Sequence, residues 1–194
     1  LKQYHHGDLR AALISAALSL IEQHGVKAFS LKDAAIQVGV SSAAPYRHFA
    51  DKDALLSAIR TEAFALFHAA LKTAFDSTTH PAGKLEELGV AYVLFALHNP
   101  ARFRIMFGLA GPKNPDADPG AFLLLVEAVA GLTPRAGPKR RHDLVVACWS
   151  IVHGFATLQM EGAFTAVDQP EMEQQLRRTL RLLIPAASMI RRPK

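Results

Sequence analysis

The sequence predicts an all-α fold, on three observations. Apolar residues recur at steps of three and four along most of the chain, the spacing that gathers them on one face of a helix. Nowhere do apolar and polar residues alternate as they do in a half-buried strand. Three stretches rich in Pro, Gly and small polar residues, "DSTTHPAGK", "AGPKNPDADPG" and "TPRAGPKRR", divide the rest into helix-sized pieces. The 194 residues are 50% hydrophobic and 20% charged, a balance that supports a buried core and excludes a disordered chain.

The first helix gathers Leu9, Leu13, Ala16, Ala17, Leu20 and Ile21 on one face, with Asp8 placed to cap it and Gly25 to stop it. A second, short helix covers residues 30–38. Ser30 caps it, Asp33 three residues on completes an analogue of the capping box, and Gly39 ends it. A third short helix starts at Ser41. A fourth runs over about residues 51–75 on Leu55, Ile59, Ala63, Leu66, Phe67, Ala70, Leu71 and Phe75. After the break at 76–84, residues 85–97 form a helix stopped by His98, Asn99 and Pro100, and 101–109 form a short one. A loop over 110–120 leads to a short apolar helix at 122–132, and a second loop, with a basic cluster, covers 133–141. A long helix follows over about 142–164. The last covers about 169–189, with Leu176, Leu180, Leu183 and Ile184 on one side and Pro185 set to kink or shorten it.

The first three helices are too short to close a large core and must lean on the start of the fourth. This predicts a small domain over residues 1–50, joined by a continuous helix to a larger helical body over 51–194. With no flexible linker between them, the fourth helix is a rigid connector.

Several function classes drop out. No nucleophile–base pair, paired carboxylates or phosphate-binding loop is present, so no enzyme and no cofactor are expected. The single cysteine, Cys148, lies in an apolar helix and excludes an intrachain disulfide; a reducing cytoplasm fits. None of the nine histidines forms an i, i+4 pair beside a carboxylate cluster, so no metal is expected. No signal peptide is visible. The least polar stretch, 144–160, is interrupted by His153, Gly154 and Gln159 and reads as a buried helix, not a membrane span. The net charge of +5 mildly favours a polyanionic partner.

The segment 31–49, "LKDAAIQVGVSSAAPYRHF", has the makings of a helix-turn-helix. Two helices that cross steeply need a small residue at the crossing, supplied by Ala35, and a tight turn needs a residue tolerant of positive φ, supplied by Gly39. Val38 and Val40 flank the turn, and Ser41 can cap the second helix, whose first turn then points its N–H groups and positive dipole end toward phosphate, placing Ser41 among the DNA contacts. Such a unit presents a short helix to the major groove of double-stranded DNA.

The stretch "FSLKDAAIQVGVSSAAPYRHFADKDALL" resembles the signature of the tetracycline-repressor (TetR) family of transcriptional regulators. The opening "YHHGDLRAALISAALSLIEQHG" resembles that family's first helix, and "WSIVHGFATL" resembles a C-terminal subtype marked by Trp, His and Gly. The resemblance implies a homodimer that binds a DNA operator and answers to a small-molecule effector, usually as a repressor. By matched position, Tyr46, His48 and Lys52 resemble the family's phosphate and groove contacts, with Phe49 as core anchor. Ser30 is placed to donate to a phosphate, and Ser42, Ala43 and Arg47 are the candidates for base edges. Arg47 can read guanine bidentately or hold a phosphate; His48 can instead hydrogen-bond within the chain.

One departure is Pro45, where the family usually has Leu, Ile or Val. A proline five positions into the helix removes a hydrogen bond and crowds the Ser41 carbonyl. The helix then either starts tight and 3₁₀-like or begins at Pro45 itself. Residues 1–60 carry seven Lys and Arg against five acids, so DNA binding must rest on a few placed contacts and on two subunits.

In the body, the resemblance implies a pocket for an apolar or aromatic effector. Its candidate lining is Phe64, Phe67, His68, Phe95, Phe103, Met106, Phe107, Phe122, Trp149 and His153. The last two helices resemble a dimerising four-helix bundle, with Ala147, Ile151, Gly154, Leu158, Leu176, Leu180 and Leu183 as candidate contacts. The small residues Ala147, Gly154 and Gly162 fit equally beneath a neighbour within one subunit.

Overall fold

The computed structural model describes residues 9–108, 119–164 and 168–183. Among these it contains eight α-helices, one 3₁₀ turn and no strand. Contacts divide the chain into two compact units, Leu1–Phe64 with Asn99–Ala117 and Ala65–His98 with Asp118–Lys194.

The first unit contains α1 (Leu9–Ala28), α2 (Leu31–Val38), the 3₁₀ turn Pro45–Arg47, the beginning of α3 (Lys52–Asp76) and α5 (Pro100–Phe107). Its core gathers Leu13, Ala17 and Ile21 of α1, Phe29, Leu31, Phe49, and Leu55, Leu56 and Ile59 of α3. Each fully buried aliphatic or Phe side chain contributes on the order of 1.5–3 kcal/mol. Ala101 and Ile105 of α5 belong to the same core. The unit is therefore larger than residues 1–50: its short helices leave apolar surface that α3 and α5 cover. Gly25 does not end α1 but bends it. At φ 80°, ψ 162° it interrupts the helix, which resumes for one turn to Ala28. Asp8 lies outside the described residues.

The second unit holds the rest of α3 with α4 (Pro81–His98), α6 (Gly120–Leu132), α7 (Pro138–Met160) and α8 (Gln169–Arg181). The central helix is α4, which packs against α6, α7 and α8. Gly89 lies at the contact: a Cβ there would run into the end of the Leu180 side chain of α8 and touch Val152 of α7. Two fork-to-fork ion pairs tie α8 to α4. Arg181 donates from Nε and Nη2 to the Glu86 carboxylate, both at 2.8 Å, and Arg177 donates to Glu87 at 2.6 and 3.2 Å. Asp168 caps α8 by accepting from the Glu171 N–H at 2.9 Å.

Helix α7 starts at Pro138, four residues before the expected His142, because proline is tolerated at a first helical position, where no N–H is needed. It ends at Met160, ahead of Gly162 at φ 69°. The expected kink at Pro185 and the extension towards residue 189 fall outside the described residues, as does most of the loop at 110–120. Helices α3 and α7 are long and apolar enough to cross a membrane by composition. Both pack core residues on one face, Leu55, Ile59 and Phe67 in α3 and Val145, Cys148, Val152 and Phe155 in α7.

Candidate nucleic-acid interface

Helix α2 starts as a capped helix. The Ser30 hydroxyl accepts from the Asp33 N–H at 3.3 Å, and the Asp33 carboxylate accepts from the Ser30 N–H at 3.1 Å and from its hydroxyl at 2.6 Å. The single hydroxyl proton expected to reach a phosphate is thus directed at Asp33. Gly39 ends α2 in the left-handed region, at φ 79°, ψ 30°. Its N–H bonds the Ile36 carbonyl at 3.1 Å and the Val40 N–H bonds that of Ala35 at 3.0 Å, satisfying two terminal carbonyls.

Beyond the turn, no α-helix forms at Ser41. The Ala44 N–H bonds the Ser41 carbonyl at 3.0 Å, and a single 3₁₀ turn, Pro45–Arg47, follows. Proline has no N–H with which to continue an α-helix from Ser41. The ring of Pro45 is instead buried, and Phe49 anchors the segment in the core at 4% exposure. Ser41, Ser42, Ala43, Tyr46, Arg47 and His48 all face solvent. Tyr46 is 51% exposed, and Ile36 of α2 is 75% exposed, unusual for so apolar a side chain.

Lys52 is the member of the expected set that turns inward. Its ammonium donates to the carbonyls of Val26 at 2.7 Å, Lys27 at 3.3 Å and Phe29 at 2.7 Å, and lies 5.6 Å from the centre of the Phe29 ring. Its neighbour Asp51 caps α3, accepting from the Ala54 N–H at 2.8 Å.

In the second unit, Phe67 meets Tyr92 and Phe95 edge-on, each at 5.1 Å between ring centres. The Tyr92 hydroxyl lies 2.8 Å from His153 Nδ1. Burial pushes the Tyr92 phenol well above its usual range, with a hydrogen bond to Trp149 opposing, and pulls His153 down. Both groups are therefore uncharged and share one hydrogen bond. Burial likewise pushes the Cys148 thiol up to about 11, leaving it an inert core group.

Residues 13–59 match the family described as "Bacterial regulatory proteins, tetR family", and residues 85–183 match "Tetracyclin repressor-like, C-terminal domain". The chain belongs to the TetR family. Its members are transcriptional regulators that bind DNA through the helix-turn-helix, not enzymes. The HTH-type transcriptional regulator Rv1816 of Mycobacterium tuberculosis is 25% identical over 126 residues, 62% of this chain and 54% of that protein. The chain thus spans about half the length of the curated relatives it matches. A solved structure of a protein of unknown function from Rhodococcus sp. RHA1 is 30% identical, with TM-score 0.79, over 97% of this chain and 100% of that one. A crystal structure of AibR in complex with isovaleryl coenzyme A and operator DNA shares the fold at 15% identity, with TM-score 0.70, over 88% of this chain and 96% of that one.

Within this TetR-family chain, the residues expected to line one pocket fall into two groups. Phe64, Phe103, Met106 and Phe107 belong to the first unit, where Phe107 packs on Phe64 at 5.8 Å and on Phe103 at 4.9 Å. Phe67, His68, Phe95, Phe122, Trp149 and His153 belong to the second. There His68 lies so close to Gly120 that a Cβ would strike its ring, and Phe122 and Trp149 pair at 5.7 Å on the surface. A small, partly open apolar cleft of about 10 Å³, lined by Leu85, Val129, Leu132, Thr133, Leu144, Cys148 and Leu183, uses none of the ten. It has room for about one water molecule.

The expected dimer contacts also divide. Leu176 and Leu180 are fully buried inside the chain, Leu180 against Gly89, so neither is available to a second subunit. Leu183 is half-buried and lines the small apolar cleft. Ala147, Ile151 and Gly154 are half-buried on α7, with nothing within 4 Å of a Cβ at Gly154, and Leu158 is exposed. Val146 and Trp149 of α7 and Phe122, Leu123 and Val126 of α6 are exposed too. Tyr92, Glu86 and Glu87 were absent from the expected set. The signal for them was a phenol and two carboxylates inside an apolar helix, groups that need partners when buried.

Proposed function

We propose that this TetR-family regulator is a cytoplasmic homodimeric repressor that binds a pseudo-palindromic operator and is released by a small apolar or aromatic effector. The observation that carries the DNA half is the solvent-facing run Ser41–Ala43 and Tyr46–His48, held on a buried Pro45 and Phe49. Two copies of this run, about 34–36 Å apart, would enter successive major grooves. Arg47 is the side chain best suited to read a guanine. The apolar α7 face at Val146, Trp149, Gly154 and Leu158 is the proposed dimer contact.

The effector half rests on Phe67, Tyr92 and Phe95 with the neutral Tyr92–His153 pair. Aromatic edges and an uncharged hydrogen-bonding pair suit a largely apolar ligand with a polar group. Helix α3 carries Leu55, Leu56 and Ile59 into the core of the first unit and Phe67, Leu71 and Phe75 into the second. A ligand that displaces Phe67 therefore acts on a helix the DNA-binding unit is built on. A coupling of about 1–3 kcal/mol changes DNA affinity roughly 5- to 150-fold.

Thermal-shift screening for ligands, then calorimetric titration of a hit with and without operator, tests this reading. Operator DNA must weaken ligand binding by the factor by which ligand weakens DNA binding. Equal ligand affinity in both titrations rules out effector action. Equal affinity for random and upstream DNA at about 150 mM salt rules out an operator, since non-specific binding is chiefly electrostatic.

A further inference from the structure

We infer that Lys52 is a positioning residue for DNA recognition, locking both ends of the helix-turn-helix together through backbone carbonyls, and not a phosphate contact. An ammonium has three N–H donors. All three have an acceptor here, the carbonyls of Val26, Lys27 and Phe29. Two of those carbonyls lie in the last turn of α1, beyond the bend at Gly25, and the third, of Phe29, directly follows it. Terminal helix carbonyls lack intrahelical donors and carry the negative end of the dipole, so a cation is favoured there. Lys52 itself opens α3, where a cation is disfavoured. Its side chain leads the charge from an unfavourable helix end to a favourable one, with the Phe29 ring beside it.

The topological consequence is the larger one. The contacts join residues 26–29 directly to residue 52. Everything between them is α2, the Gly39 turn and the exposed run 41–48. One side chain therefore closes the loop that displays the whole recognition surface. That surface is short: the N–H groups of Ala44, Arg47, His48 and Phe49 bond the carbonyls of Ser41, Ala44 and Pro45, and Pro45 and Phe49 are buried, so the Lys52 contacts add a tie between its two ends.

The inference rests on the operator reading above, and the test separates the two. Wild type, Lys52→Met and Lys52→Arg are compared for operator and random-DNA affinity across a salt series, and, without DNA, for amide hydrogen exchange over residues 39–49. The expected result is an operator affinity lower by about tenfold or more in both variants, the scale of a lost charge-assisted hydrogen bond. Random-DNA affinity and the salt slope stay unchanged, and exchange over 39–49 quickens. Arginine restores the contact poorly, because its longer planar fork spreads its donors in one plane, whereas the carbonyls of Val26, Lys27 and Phe29 are met by a single nitrogen. A phosphate contact gives a different result: Lys52→Arg keeps operator affinity, and Lys52→Met flattens the salt slope by about 0.9 per subunit. That outcome overturns the inference, as does unchanged exchange in both variants. A wild type that does not discriminate operator from random DNA counts against the operator reading alone, and the exchange arm still decides the role of Lys52.

Discussion

Ser30 and Ser41 stand at two helix starts that look alike in sequence and fold differently. Each follows a turn and precedes a run that can wind into a helix. At Ser30, the residue four positions on is Ala34, whose N–H reaches back to the Ser30 carbonyl at 3.3 Å, and α2 follows. At Ser41, the residue four positions on is Pro45, which has no N–H. The Ser41 carbonyl is taken by Ala44 one position earlier, at 3.0 Å, and the backbone tightens into a 3₁₀ turn. A capping residue nominates a helix start, but the first residue required to donate decides whether the helix forms.

Four substitutions test this contrast. The largest effect is expected from Pro45→Ala. Proline in a helix interior costs about 3 kcal/mol relative to alanine, so the variant should let residues 42–48 wind into an α-helix, at some loss of core packing where the ring was. NMR chemical shifts over 41–49 report the change, and shifts that stay 3₁₀-like place the cause elsewhere than in the missing N–H. Gly39→Ala comes next. A Cβ there meets nothing within 4 Å, so the cost is that of a left-handed backbone alone, about 1 kcal/mol or somewhat more. A drop in urea midpoint with unchanged slope is the expected reading. Ser30→Ala removes a cap that is in use and should cost about 1 kcal/mol by the same measurement. Ser41→Ala should cost least, within about 0.5 kcal/mol, as a surface change that removes no cap. Equal losses for the two serines would erase the distinction.

Much of the first unit was legible because its signals are local. The Ser30–Asp33 box and the Gly39 turn each lie within a few residues, and side-chain type decides them. Pro45 announced its disruption in the same way. Lys52 was not legible: its partners are backbone carbonyls, which every residue has, more than twenty positions away. Leu180 shows a second limit. Its helix face was readable, but whether that face met a second subunit or Gly89 of α4 depended on a glycine ninety residues earlier. The Tyr92–His153 contact spans 61 positions and carries no periodic trace.

The placement of α5 bears on how this protein can be cut and recombined. The chain leaves the first unit after Phe64, builds α4, and returns at Asn99 so that Ala101 and Ile105 complete the core around Leu13 and Ile59. The DNA-binding unit is thus discontinuous and not a detachable N-terminal module. A chimera that grafts residues 1–64 onto another regulator's body inherits a foreign helix where α5 belongs. Its success turns on whether that helix offers small and branched side chains at the positions of Ala101 and Ile105. Exchanging the DNA-binding unit between relatives then calls for two crossover segments, one ending at Phe64 and one starting at Asn99, and any change at Ala101 or Ile105 is constrained by a core whose other residues lie more than forty positions earlier.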